Sequence, residues 1–369
     1  MTAQLTREPS AGAGRASRGD WLARVARPPR AVVLAFCTSR AVVVAVALVV
    51  GFTRHGESWF SPLLHWDYVW YSEVSAHGFG VVRDQGQTGW PFFPLLPALL
   101  WIGRVLGLPT GLAGIVVVNA AFFAALWGVH VLARRHYSED GATLAVWGLA
   151  LFPSSVTFTM VYADALALAA TTWAFVAAER RRDIRAGLLS AVATLARPNG
   201  LIGAVALADT VVGPSRARRV VRVLLPSVGV FCAWLAVQWA ATGDPLRFLH
   251  AKLAWDEVNV VEAVADVRAH VQWPELALVV VGAAAVLWCW RRRGLPRGWL
   301  LLYVLSLVPS LVTGMTGIAR YSVACFVPAV CCGVALEGMP RRVRLTCLAV
   351  ALAVLVVVSA LVFTENWTP

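Results

Sequence analysis

Residues 31–52 read AVVLAFCTSRAVVVAVALVVGF, with a single charge and no proline. At 1.5 Å per residue such a run reaches across the ~30 Å hydrocarbon core of a bilayer as one helix. The pattern recurs along the chain. Further apolar segments lie near 91–108, 111–133, 141–157, 162–178, 186–212, 223–241, 274–290, 298–315, 320–337 and 345–363. Of the 369 residues, 59% are hydrophobic and 14% charged, and the mean hydropathy is +0.69. Soluble domains are nearer half apolar and a quarter charged. This composition excludes a soluble globular domain, a disordered chain, a collagen-like fibre and a small disulfide scaffold. It implies an all-α polytopic membrane protein of about 9–12 membrane segments.

The net charge is +12, and of the 32 basic residues only Lys252 is not arginine. Twenty-three of the 32 lie in clusters at 1–30, 134–135, 180–185, 216–222, 291–297 and 341–344. Short basic clusters between apolar runs are what the positive-inside rule places in the cytoplasm. No stretch interleaves bases with aromatics as a nucleic-acid groove requires, so no nucleic-acid partner is expected. Residues 1–30 read as an Arg-rich, disordered cytoplasmic start that is too polar for a signal peptide. Residues 31–363 read as one integral membrane domain of a bacterial plasma membrane, with outer loops at 53–90 and 242–273, and 364–369 as a short outer tail. The seven cysteines fall in apolar segments and read as small hydrophobes, so neither disulfides nor a metal cluster are expected. Two segments depart from simple spans. Three prolines within 91–97 make 91–108 interfacial or re-entrant. Residues 186–212 are too long for one crossing and are cut by Arg197-Pro198-Asn199-Gly200, which implies two short arms meeting near the outer surface.

The polar chemistry collects around the outer side. The first loop contains His65-Trp66-Asp67-Tyr68-Val69-Trp70-Tyr71. Helical spacing puts Trp66, Trp70 and Ala76–His77 near one face and stacks Asp67 and Tyr71 one turn apart. An acid above an aromatic-lined surface suits proton abstraction from a sugar hydroxyl, while an ordinary hydrated acid explains Asp67 as well. Tyr162-Ala163-Asp164 opens an apolar helix, where Asp164 is either a helix cap favoured by the N-terminal dipole or a substrate contact. Arg197, in an apolar surround, is either a phosphate fork beside the helix start at Asn199, a snorkelling side chain, or the partner of Asp164 or Asp209. Arg320-Tyr321 is a second candidate of the same kind. Arg40, midway along the first helix, has no explanation in the sequence. No nucleotide cradle, zincin motif or zinc spacing is present.

Several of these motifs, in order, resemble the PIG-V type of GPI mannosyltransferase 2 and its bacterial relatives. They are Trp66-Asp67 with Tyr71, Ala76, Gly78 and Phe79, then Phe92-Phe93-Pro94-Leu95 with Pro97. Phe152-Pro153-Ser154-Ser155, Tyr162-Ala163-Asp164-Ala165-Leu166, Arg197-Pro198-Asn199-Gly200, Thr242-Gly243-Asp244-Pro245-Leu246 and Arg320-Tyr321 follow. The resemblance spans about residues 60–330, and Asp164 stands where glutamate is usual. It implies a GT-C fold and an enzyme that moves a sugar, mannose, from a polyprenyl-phosphate carrier with inversion. The acceptor would be a lipid-linked or cell-envelope glycan on the outer face. Carried over, Asp67 is the catalytic acid/base, and Trp66, Tyr71, Tyr162, Asp164, Arg197, Asn199, Arg320 and Tyr321 line the substrate site. Placing the arginines on the donor phosphate is a physical inference. No cofactor follows from the sequence. A divalent cation stays an open alternative, because Glu73 and Asp84 add oxygen ligands without a metal spacing. A non-enzymatic transporter or binding subunit for lipid-linked sugars is the alternative class, and it would have no use for Asp67.

Overall fold

The structure is a computed structural model that describes residues 27–53, 58, 60–83, 86–211, 213–251, 273–313, 320 and 325–366. The expected disordered start up to residue 26, Asp84, Tyr321, most of the second outer loop and residues 367–369 lie outside these. Helices α1 (Arg30–Thr53), α2 (Asp67–His77), α3 (Leu95–Val105), α4 (Thr110–His136) and α5 (Glu139–Ala150) come first. After them come α6 (Asp164–Glu179), α7 (Asp183–Ala196), α8 (Asn199–Asp209) and α9 (Arg216–Thr242). Then follow α10 (Trp273–Arg292), α11 (Arg297–Thr313), α12 (Val327–Ala335) and α13 (Arg341–Phe363). Among the described residues there is no β-strand, only one isolated bridge between Val82 and Thr88. α1, α4, α9 and α13 are each long and apolar enough to cross a membrane. The chain is an integral membrane protein with a multi-helix fold.

The remaining helices are shorter for reasons written in the sequence. α5 starts on Ser138, whose hydroxyl accepts from the Gly141 N–H at 3.1 Å, with Glu139 and Asp140 favoured in the first turn by the helix dipole. It stops at Ala150, and Pro153–Phe158 continue as a 3-10 turn. α7 ends at Ala196 because Arg197 precedes a proline and is extended, at φ −154° and ψ 148°. α8 then folds back so tightly that a Cβ on Gly200 would sit 2.2 Å from the Ala193 carbonyl carbon. At 11 residues α3 covers ~16 Å and cannot cross a bilayer. Its exposed Trp101, Ile102 and Val105 give it an apolar outer side.

Ion pairs gather the arginine-rich connections at one pole of the bundle. Arg135 meets Glu179 at 3.1 Å, Arg219 meets Asp183 at 2.8 Å, Arg293 meets Glu337 at 3.1 Å and Arg344 meets Asp140 at 2.6 Å. The opposite pole carries α2 and the starts of α6 and α8.

Arg40 finds its explanation in the fold. Nε donates to Ser39 Oγ at 3.3 Å, Nη1 to the Ser155 carbonyl at 2.8 Å and to Thr159 Oγ1 at 2.7 Å. Nη2 donates to the Ala150 carbonyl at 3.3 Å and to Ser155 Oγ at 3.0 Å. All five guanidinium donors are thereby used on neutral acceptors, and the charge also lies 4.6 Å from the centre of the Phe122 ring. The cation sits at the negative end of α5 and fixes the turn that leads into α6.

Close backbone contact fixes α12 against α5. A Cβ on Gly333 would lie 2.1 Å from the Leu144 carbonyl oxygen, and one on Gly148 would lie 2.4 Å from the Ala329 oxygen. Small residues allow such approach where helices meet in a membrane. Gly333→Ala should therefore force the helices apart and lose folded protein in detergent. Gly229→Ala, in α9 with open space around the position, should raise stability by ~0.5–1 kcal/mol through helix propensity. Thermal unfolding of the two purified variants checks both signs.

Candidate functional site

Asp67 is the first residue of α2, and the chain reaches it through Trp66 at φ 59° and ψ −124°. A residue with a side chain rarely adopts that backbone, which costs ~1–3 kcal/mol and persists only where the surroundings hold it. Trp66 consequently stays outside the helix, and the expected shared face of Trp66 and Trp70 does not form. Trp70 is buried instead and stacks on Phe92, with ring centres 5.6 Å apart. Tyr71 meets the same Phe92 ring edge-on at 5.0 Å.

Four charges converge beside this turn. Arg197 Nη2 lies 2.7 Å from Asp164 Oδ2 and 3.3 Å from Asp67 Oδ2. Arg320 Nη1 reaches the same Asp67 oxygen at 3.5 Å. Arg197 does not snorkel: its side chain is 12% exposed, and it takes the Asp164 partner while adding Asp67. The Arg197–Asp164 contact is a close ion pair rather than an aligned hydrogen bond, and both Asp164 oxygens are buried without a hydrogen-bonded partner. Asp164 does not cap α6 either, since Ala163 holds that position. The Arg320 guanidinium lies 5.0 Å from the centre of the Tyr162 ring, and the backbone N–H of Asp67 faces the Tyr162 hydroxyl. Burial pushes the Tyr71 phenol up; Arg197 and Arg320 oppose that, and Asp67 and Asp164 add to it. The phenol thus stays a neutral hydrogen-bonding group at physiological pH.

Two positive and two negative charges make the cluster electroneutral, as a low-dielectric site requires. Within it Asp67 is the most accessible, at 23% against 0% for Asp164 and 11% for Arg320. Asp67 is therefore the carboxylate an incoming molecule meets first. Of the residues singled out in the sequence, the structure brings Asp67, Asp164, Arg197, Arg320, Tyr162 and Tyr71 together. Trp66 and Asn199 flank them, and neither hydrogen-bonds to the four charges among the described residues. Among the described residues no three His, Cys, Asp or Glu side chains gather, and Glu73 pairs with His77 at 3.8 Å.

The fold is of the GT-C type. ArnT from Cupriavidus metallidurans, solved bound to undecaprenyl phosphate, is similar over 91% of this chain and 64% of its own, with 17% identity and a TM-score of 0.57. An oligosaccharyltransferase from Archaeoglobus fulgidus in the apo form matches 88% of this chain and 56% of its own, at 14% identity and a TM-score of 0.48. Both belong to the GT-C superfamily of glycosyltransferases. The chain thus spans less than two thirds of the length of either. No protein-family model matches it, and no curated protein does.

Removing one partner of a buried ion pair costs ~3–5 kcal/mol, because the other is stranded. Arg197→Met should destabilise the fold on that scale by leaving Asp164 unpaired. Adding Asp164→Asn to it should recover most of the loss. Thermal unfolding of the single and double variants distinguishes this from simple loss of arginine packing, which the second substitution would not repair.

Proposed function

We propose that this protein is a membrane glycosyltransferase that moves a sugar, mannose by the family resemblance, from a polyprenyl-phosphate carrier to a hydroxyl of a lipid-linked or cell-envelope glycan. The observation that carries the reading is the accessible Asp67 carboxylate held between Arg197 and Arg320. A phosphodiester donor competes for those guanidiniums, which bind phosphate oxygens in the same forked geometry as a carboxylate. Asp67 Oδ2 is then free to accept the proton of the acceptor hydroxyl. The acceptor oxygen attacks the anomeric carbon from the side opposite the phosphate and the C1–O bond breaks with inversion. The carrier leaves as a phosphate monoester whose added charge falls on the preorganised arginines. Asp164, fully buried, keeps Arg197 oriented through this exchange.

The arginine-rich pole faces the cytoplasm in this reading, so Asp67 works on the side away from nucleotide-sugar synthesis. The shared fold with ArnT, which binds undecaprenyl phosphate, supports a lipid-linked donor. Purified protein should transfer mannose from polyprenyl-phosphate-mannose and not from GDP-mannose, and Asp67→Asn should lower turnover by ~10²–10⁴-fold. Transfer from GDP-mannose without a polyprenyl carrier would overturn the donor. Near wild-type turnover in Asp67→Asn would remove Asp67 from the mechanism, whereas no transfer by the wild-type protein would favour a sugar-lipid binding protein instead.

Orientation has its own test. In intact cells, single reporter cysteines at 60–83 should react with an impermeant thiol reagent, and those at 291–297 should be protected. The reverse pattern would turn the protein over and remove the site from the outer face.

A further inference from the structure

The last helix ends in a way its sequence does not favour. After α13 the Asn366 N–H donates to the Leu361 carbonyl at 2.9 Å and the Glu365 N–H to the Val362 carbonyl at 3.2 Å. This pair of bonds makes a left-handed helix terminus, in which the residue at positive φ is ordinarily glycine. Here it is Glu365, at φ 61°. An acid is also the wrong charge for a helix C-terminus, where the dipole is negative. Arg181 adopts the same conformation after α6, but as a cation it suits that end. Glu365 therefore carries both a backbone and an electrostatic cost at a position where glycine would carry neither.

What the side chain gains is contact with the first outer loop. Glu365 Oε1 lies 2.9 Å from His65 Nδ1, two residues before Asp67. The same helix end reinforces that contact with apolar packing. Val362 and Phe363 share a buried cluster with Leu63, Met160 and Tyr162, and Trp66 packs against it. Trp66 is the second left-handed residue of this region and the one that aims α2 at the arginines. Its conformation has to be held from outside, and the His65–Glu365 contact lies next to it.

We infer that Glu365 is a positioning residue for Asp67, acting through His65 to hold the strained Trp66 turn. The inference rests on the transferase reading for its catalytic consequence, while the clamp itself has a structural readout. Glu365→Gly separates the two roles, because glycine relieves the helix terminus and removes the carboxylate. In purified full-length protein this variant should melt at or above the wild-type temperature. Its kcat for transfer from polyprenyl-phosphate-mannose should nevertheless fall by ~10-fold, with the donor KM within about twofold, since slight misplacement of a catalytic group is costly. His65→Gln should give a similar loss, and the double variant should be no worse than either single one. Hydrogen–deuterium exchange should rise over residues 61–70 in Glu365→Gly and stay unchanged in α9. Unchanged kcat, multiplying losses in the double variant, or unchanged exchange over 61–70 would each overturn the clamp. If the wild-type protein transfers no sugar at all, the transferase reading falls, and the exchange measurement alone then decides the clamp.

Discussion

Arg197 answers to two carboxylates at once, and much of this architecture is arranged so that it can. One of them, Asp164, is sealed from solvent with the guanidinium 2.7 Å away. The other, Asp67, is partly open and shares its oxygen with Arg320. The inner acid thus fixes the arginine, and the outer acid is exchangeable. To bring them together the chain must present two helix starts and one helix break at the same depth. Pro198 provides the break, the turn held by Arg40 delivers α6, and the strained Trp66 delivers α2. The helices that start at Asp67, Asp164 and Asn199 are accordingly short, at 11, 16 and 11 residues.

Much of this plan could be read from the residues. The apolar runs marked the helices because a 3.6-residue period filled with leucine, valine and alanine has few other outcomes in lipid. The arginine clusters at 134–135, 180–185, 216–222, 291–297 and 341–344 share one pole of the fold, although on paper they were only a pattern of spacing. Arg197-Pro198-Asn199-Gly200 was legible as a break because the backbone rule for the residue before proline is local. Arg197 was visible as a charge out of place, whereas Asp67 and Asp164 each had an ordinary explanation beside the functional one.

What the sequence could not supply is who meets whom. Asp67 and Arg197 are 130 positions apart, and the sequence left Arg197 open between phosphate, solvent and either of two aspartates. Trp66 and Trp70 look like a pair by helical spacing, but a positive φ places one outside the helix and burial takes the other. Arg40 resisted explanation because its partners are carbonyls and hydroxyls, which leave no complementary charge to find. His65 and Glu365 carried even less signal: an outer-loop histidine and a polar tail are ordinary until the helix terminus between them is seen to be strained.

The close crossing of Gly333 and Gly148 has a consequence for biogenesis. Asp67, Asp164 and Arg197 are all synthesised within the first 200 residues, and together they hold one negative charge too many. Arg320, which neutralises them, enters just ahead of α12, the helix whose glycine seats against the α5 backbone. The translocon therefore handles a half-built charge cluster through the insertion of several helices, and the docking of a late helix balances it. Any factor that chaperones this protein during insertion has that interval, between residues 200 and 335, in which to act.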